Sequence, residues 1–192
     1  LLNFASDFPI STYLGAEVVS REACDEYPCG DTVGLEPNPY LRFVTINVGA
    51  QQGAEVGMSV VSGGAGLVGR ISEVGPRTAK VRLLTDPDSA IAALLQTTRG
   101  TGLLVGQPDG SLQLKYIPQE EEVRVGDVVL TSGLGGLMPK ALVIGQVTEV
   151  QQKEYETFQT ATVRPAVDFS RLELALVITG FEQVPLEEAA SE

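Results

Sequence analysis

Apolar and polar positions alternate along this chain in short runs, and most runs stop at glycine or proline. Leu41–Val48 (LRFVTINV) puts Leu41, Phe43, Thr45 and Asn47 on one side and Arg42, Val44, Ile46 and Val48 on the other, the period of a half-buried strand. Gly15–Ser20 reads as a strand before it. Met58–Ser62, Leu67–Val74 and Ala79–Leu84 read as strands divided by Gly63-Gly64 and Gly75-Pro76, and Ile91–Leu95 follows the turn Asp86-Pro87-Asp88. Gly102–Val105 and Ser111–Ile117 flank a hairpin turn at Gln107–Gly110. Val125–Thr131, Ala141–Val150, Phe158–Pro165 and Leu172–Ile178 complete the set. Breakers at this density leave no room for a long helix.

The runs repeat. Val56–Val74 (VGMSVVSGGAGLVGRISEV) is echoed by Val125–Val150 (VGDVVLTSGLGGLMPKALVIGQVTEV), with shared Val-Gly, β-branched, Ser-Gly, apolar-Gly and Glu-Val steps. The echo continues from Ala79-Lys80-Val81-Arg82 to Ala161-Thr162-Val163-Arg164. One structural unit is therefore used twice. Five or six short strands per half suit a small closed barrel. The expected fold class is all-β: two small six-stranded-type antiparallel β-barrel domains with a short N-terminal helix remnant. The expected divisions are 1–14, the end of a helix and its linker; 15–98, the first barrel half with a loop at 21–39; 99–180, the second; and 181–192, a disordered acidic tail. Exchange of strands between the halves is left open. Leu1, Leu2 and Phe4 fit the close of a helix begun upstream and stopped at Pro9. A chain opening on Leu1 rather than methionine is expected to be a fragment, with any anchor upstream.

Composition narrows the function classes. The net charge of −12 and pI near 4.4 argue against nucleic acid and against anionic lipid surfaces. The chain holds no histidine, which removes the commonest general base and metal ligand. A Ser-His-Asp or Cys-His site cannot be assembled from it alone. No apolar run reaches the length of a membrane span, and no signal peptide is visible.

Few motifs carry chemistry. Cys24 and Cys29 lie five positions apart in the polar stretch Arg21–Pro39. A local disulfide, a zinc site and a reactive thiol pair are the three readings. Two cysteines without histidine fall short of a zinc ligand set, and Asp25 and Glu26 would raise a thiol pKa rather than lower it. Ser132 lacks the G-x-S-x-G setting of a nucleophile, and the nearby glycines match no phosphate-loop spacing. Asp86, Asp88 and Asp109 read as turn aspartates. Catalytic, cofactor and metal residues are all expected to be absent. Leu134, Leu137 and Met138 stand out as apolar side chains in a glycine-dense connector. They either fold back as a barrel plug or form a patch for a partner.

Leu67-Val68-Gly69-Arg70, Leu83–Pro87, Val125–Val129, Thr131–Gly136 and Pro165–Asp168 together resemble the extracytoplasmic part of the MreC rod-shape-determining family, in order and over Leu1 to about Thr179. Leu1-Leu2-Asn3-Phe4 is similar to the end of the coiled coil that precedes the β region there. The resemblance implies a single-pass membrane anchor, a dimerising coiled coil and two small barrels, one like a chymotrypsin half-barrel without its triad. It implies a scaffold on the extracytoplasmic face that binds a class B penicillin-binding transpeptidase and MreD, connects indirectly to MreB, and self-associates as a homodimer or larger assembly. Leu1, Leu2 and Phe4 would serve dimerisation. The Glu22–Pro37 stretch is longer than the family's usual connection. The rival reading is a β-barrel hydrolase resting on the duplicated barrel alone. A peptidoglycan-binding module would want aromatic platforms, and the chain has no tryptophan.

Overall fold

Among the described residues, each half of the sequence supplies six strands. The first gives β1 (Ile10–Glu22), β2 (Phe43–Ile46), β3 (Ser59–Ser62), β4 (Leu67–Val74), β5 (Ala79–Leu83) and β6 (Ala90–Leu95). The second gives β7 (Thr101–Gly106), β8 (Leu112–Pro118), β9 (Val128–Thr131), β10 (Val143–Gln151), β11 (Phe158–Pro165) and β12 (Leu174–Phe181). The computed structural model describes residues 10–22, 42–63, 66–136, 138–152 and 156–181. Leu1, Leu2, Phe4, Cys24, Cys29 and the acidic tail after Phe181 lie outside the described residues.

The strands close two antiparallel barrels, in the orders β1-β12-β3-β4-β5-β2 and β10-β11-β8-β7-β6-β9. The sixth strand of each half thus serves the other half's barrel. β6 pairs with β7 and β9, while β12 pairs with β1 and β3. The expected division between 98 and 99 separates the two repeats but not the two barrels. Residues 90–95 belong to the second barrel and 174–181 to the first. Alternation sets which face a residue takes but not which strand lies alongside, and the two exchanged strands are alike at that level: Ala93 faces Thr131 on β9, and Ala175 faces Ser62 on β3. The N-terminal expectation is also corrected. β1 begins at Ile10, not Gly15, because Ile10 through Glu17 pair with β12, and it runs on through Glu22 opposite Phe43.

The duplication holds at the level of single pairs. On β4 and β5, Arg70 faces Arg82 and Ile71 faces Val81, then a bulge precedes Glu73–Lys80. On β10 and β11, Gln146 faces Arg164 and Val147 faces Val163, then the same bulge precedes Glu149–Thr162. The bulge hydroxyls match too: Ser72 Oγ donates to Lys80 O at 3.1 Å, and Thr148 Oγ1 to Thr162 O at 3.3 Å. Gly69 and Gly145 occupy equivalent places where strands approach closely. A Cβ on either would stand 1.9 Å from Arg82 O or 2.0 Å from Arg164 O. Only glycine fits there.

Inward positions fill the barrels with Val, Leu, Ile and Ala. Val44, Ile46, Val60, Val81 and Val177 are fully buried in the first barrel, and Leu95, Leu112, Leu114, Ile117, Val129 and Ile144 in the second. Burying each such side chain stabilises the fold by about 1.5–3 kcal/mol. Val44, Ile46 and Val48 are buried, the face anticipated for Leu41–Val48, although the strand itself is shorter. At the junctions between barrels, Gly66 bridges Val143 in parallel. Asp86 is buried there, and its Oδ1 accepts from Asp88 N at 2.8 Å. Burial pushes its carboxyl above the ordinary value, against the opposing pull of that hydrogen bond and of Arg82. Its counterpart Asp168 is exposed. The Ser170 hydroxyl, donating at 2.6 Å, holds its carboxyl below the ordinary value.

Candidate partner-binding surface

The second barrel differs from the first in its β9–β10 connector, which runs Ser132–Leu142 where β3 and β4 are joined by Gly63–Gly66. Thr131 closes its base. The fully buried Oγ1 donates to Pro139 O at 2.6 Å and accepts from Leu142 N at 2.9 Å, while Ala141 N reaches Thr131 O at 2.9 Å. Gly133, Gly135 and Gly136 take left-handed φ values of 74°, 86° and 65°, which glycine adopts at little cost. Ala141 shares that region at 68°, a strained place for a residue with a Cβ. The connector is therefore a folded loop held at its neck.

The three apolar residues singled out in it part company. Met138 is 7% exposed and belongs to the core cluster, so it plugs rather than displays. Leu134 is 55% exposed, and its N donates to Ser132 Oγ at 3.2 Å. Leu137 lies outside the described residues. Ser132 is itself buried and accepts from the loop. Without a histidine in the chain, no imidazole can activate it.

A second apolar display lies at the opposite end of the same barrel. Tyr116 on β8 and Phe158 on β11 are both exposed, with ring centroids 5.9 Å apart and planes at 84°, an edge-to-face pair. Tyr116 sits at φ 60° in a bulge: Ile117 pairs with Gln159 and Leu114 with Ala161, leaving Lys115 and Tyr116 opposite one position. Buried Gln159 fixes the neighbourhood, its Nε2 donating to Pro118 O at 2.9 Å and Glu121 O at 2.6 Å. Gln152 Nε2 donates to Gln119 Oε1 at 2.7 Å, and Gln119 Nε2 donates to Phe158 O at 3.3 Å. Period-two reading with Ala161 and Val163 inward would have turned Phe158 outward. The same reading from Leu112 and Leu114 turns Tyr116 inward, and only the bulge reverses it.

Exposed aromatics on a braced backbone suit protein docking better than bond-making chemistry. The family model described as "Rod shape-determining protein MreC, barrel core" matches residues 32–179. The cell shape-determining protein MreC of Cereibacter sphaeroides is 38% identical over 151 residues, covering 79% of this chain and 48% of that protein. Its namesake in Bacillus subtilis (strain 168) is 31% identical over 157 residues, 76% of this chain and 54% of that protein. The chain thus spans about half the length of these curated relatives. Among solved structures, MreC from Pseudomonas aeruginosa aligns with a TM-score of 0.72 and 27% identity, covering 87% of this chain and 99% of that one. MreC in a complex with penicillin-binding protein PBP2 from Helicobacter pylori shares the fold at a TM-score of 0.63 and 18% identity, covering 88% of this chain and 99% of that one.

Proposed function

The chain belongs to the MreC rod shape-determining family, and from that membership we propose a non-enzymatic scaffold of the bacterial cell-wall elongation machinery. Its second barrel would bind a class B penicillin-binding transpeptidase. Two things support the reading: the Helicobacter pylori relative is described in complex with PBP2, and this chain holds an aromatic pair outward on a braced barrel. The Tyr116–Phe158 pair carries it, because a few anchor residues, tyrosine prominent among them, carry most of the energy in protein interfaces. Leu134, at the other end, would add a smaller contact. The full protein would sit on the extracytoplasmic face of the cytoplasmic membrane, held by one helix, with MreD as a further partner and MreB reached indirectly. Leu1, Leu2 and Phe4 would serve dimerisation as the end of a coiled coil.

Calorimetric titration with the soluble part of a class B transpeptidase from the same cell tests the surface. Tyr116→Ala and Phe158→Ala are each expected to weaken binding at least ten-fold, and Leu134→Glu by less, with unchanged circular dichroism. Wild-type affinity in both aromatic variants would remove this pair as the docking site.

A further inference from the structure

One cross-strand row of the first barrel, partly exposed along Arg70, Arg82 and Phe43 and buried at Ser59, has no explanation in the fold. Ser59 on β3 faces Arg70 on β4, Arg70 faces Arg82 on β5, and Arg82 faces Phe43 on β2. The row puts two guanidinium-bearing side chains directly opposite each other across one strand spacing, about 4.8 Å, an arrangement that destabilises a sheet. Neither arginine pairs with a carboxylate among the described residues. Arg70 Nε donates to Gly57 O at 3.2 Å, and the Arg82 guanidinium carbon stands 5.7 Å from the Phe43 ring centre. Lys80 Nζ reaches the same ring at 4.6 Å. The side-chain polar atoms that are buried without a hydrogen-bond partner among the described residues are Ser59 Oγ and Arg82 Nε. Both lie on this row.

The charge around the row runs against the rest of the molecule. The chain carries −12 overall, yet Arg42, Arg70, Arg77, Lys80 and Arg82, five of its thirteen basic residues, lie on or beside β2, β4 and β5. The opposing charges nearby include Glu73, opposite Lys80, Glu22, opposite Phe43 on β1, and buried Asp86, whose field reaches Arg82 and Arg42. The second barrel supplies a control built into the same chain. Its equivalent row reads Val128, Gln146 and Arg164. The fold therefore needs neither the second arginine nor the serine.

We propose that Arg70, Arg82 and Phe43, backed by the buried Ser59, form a docking surface for an acidic segment of a protein partner, whose carboxylate is gripped by the two guanidiniums while the Phe43 ring packs against its apolar neighbours. Paired guanidiniums present several donors in fixed forks that match a carboxylate. A basic island on an acidic protein also selects such a segment by charge and orients its approach. The surface lies on the other barrel from the transpeptidase reading and does not depend on it.

Fluorescence anisotropy with a labelled hexaglutamate peptide, and hexaglutamine as its neutral control, tests the proposal on the whole chain at low salt. Saturable binding of the glutamate peptide alone is expected. It should weaken at least ten-fold in Arg70→Gln and in Arg82→Gln and stay unchanged in Arg164→Gln. Arg70→Gln installs the residue that the second barrel already carries at that register, so its melting temperature should equal or exceed the wild type. A clear fall in that temperature would mark the arginine as structural and overturn the proposal. So would absence of binding to the wild type, equal binding by Arg70→Gln, or displacement of the peptide by equimolar inorganic phosphate.

Discussion

The two barrels share their ladder register and differ in what faces out of it. Both place a glycine under a carbonyl at the β4–β5 and β10–β11 crossings, both carry a bulge with a hydroxyl bonded across it, and both close with a borrowed strand. Outside, the first barrel has the Arg70–Arg82 row where the second has Gln146–Arg164. The short Gly63–Gly66 link contrasts with the Ser132–Leu142 connector. A buried junction aspartate in one corresponds to an exposed one in the other. Inward residues and close-approach glycines set the shape twice over, and the outward face is free to diverge.

The sharpest way to break that comparison is at the shared glycines. Gly69→Val and Gly145→Val should each destabilise the chain by about 3 kcal/mol, since each forces a side chain into backbone. Urea unfolding followed by circular dichroism should show the two losses alike; a tolerant Gly145 would mean that the second barrel does not share the packing. A smaller effect should separate the barrels instead. Thr131→Val strips both bonds from the connector's neck and should cost about 2 kcal/mol. Ser62→Ala, at the matching position before the short link, should cost under about 1 kcal/mol. Equal losses would show that the longer connector is not held at Thr131.

The smallest effect concerns pH. Asp86 has a raised carboxyl value in the folded chain, so the stability it gives when protonated is present below the ordinary 3.8 and is lost as pH climbs through the raised value. Asp168 has a lowered one, so its contribution is present above 3.8 and is lost as pH falls through the folded value. Asp86→Asn should flatten the fall on the higher-pH side, and Asp168→Asn the fall on the acid side. Urea midpoints measured from pH 3 to 7 would show whether the slopes differ in sign.

Much of this was legible from residue pattern alone. Leu67–Val74 and Phe158–Pro165 appear with the bounds that alternation gives them, and the repeat showed because glycine and β-branched residues recur where geometry demands them. Alternation fixes which face a side chain takes but not which strand lies alongside, so the exchange of β6 and β12 could be left open but not read. The connector residues showed the same limit. Leu134 and Met138 are both apolar, yet the less hydropathic methionine is the buried one, and only the Thr131 neck and the loop's path decide it. Tyr116 was hidden by a bulge, which period-two reading steps over. The arginine row needed the register of four strands at once.

The exchanged strands also set an order in time. The second barrel is continuous, from Ala90 to Pro165, whereas the first needs β12, whose residues begin about ninety positions after β5 ends. During synthesis from the N-terminus, the barrel whose strands emerge first cannot close until the last strand is made, while its neighbour can close entirely before then. Until that moment β1 and β3 present unpaired edges, the kind that invite association with other chains. The half made first is the half completed last, and β12 is the piece that ends its exposure.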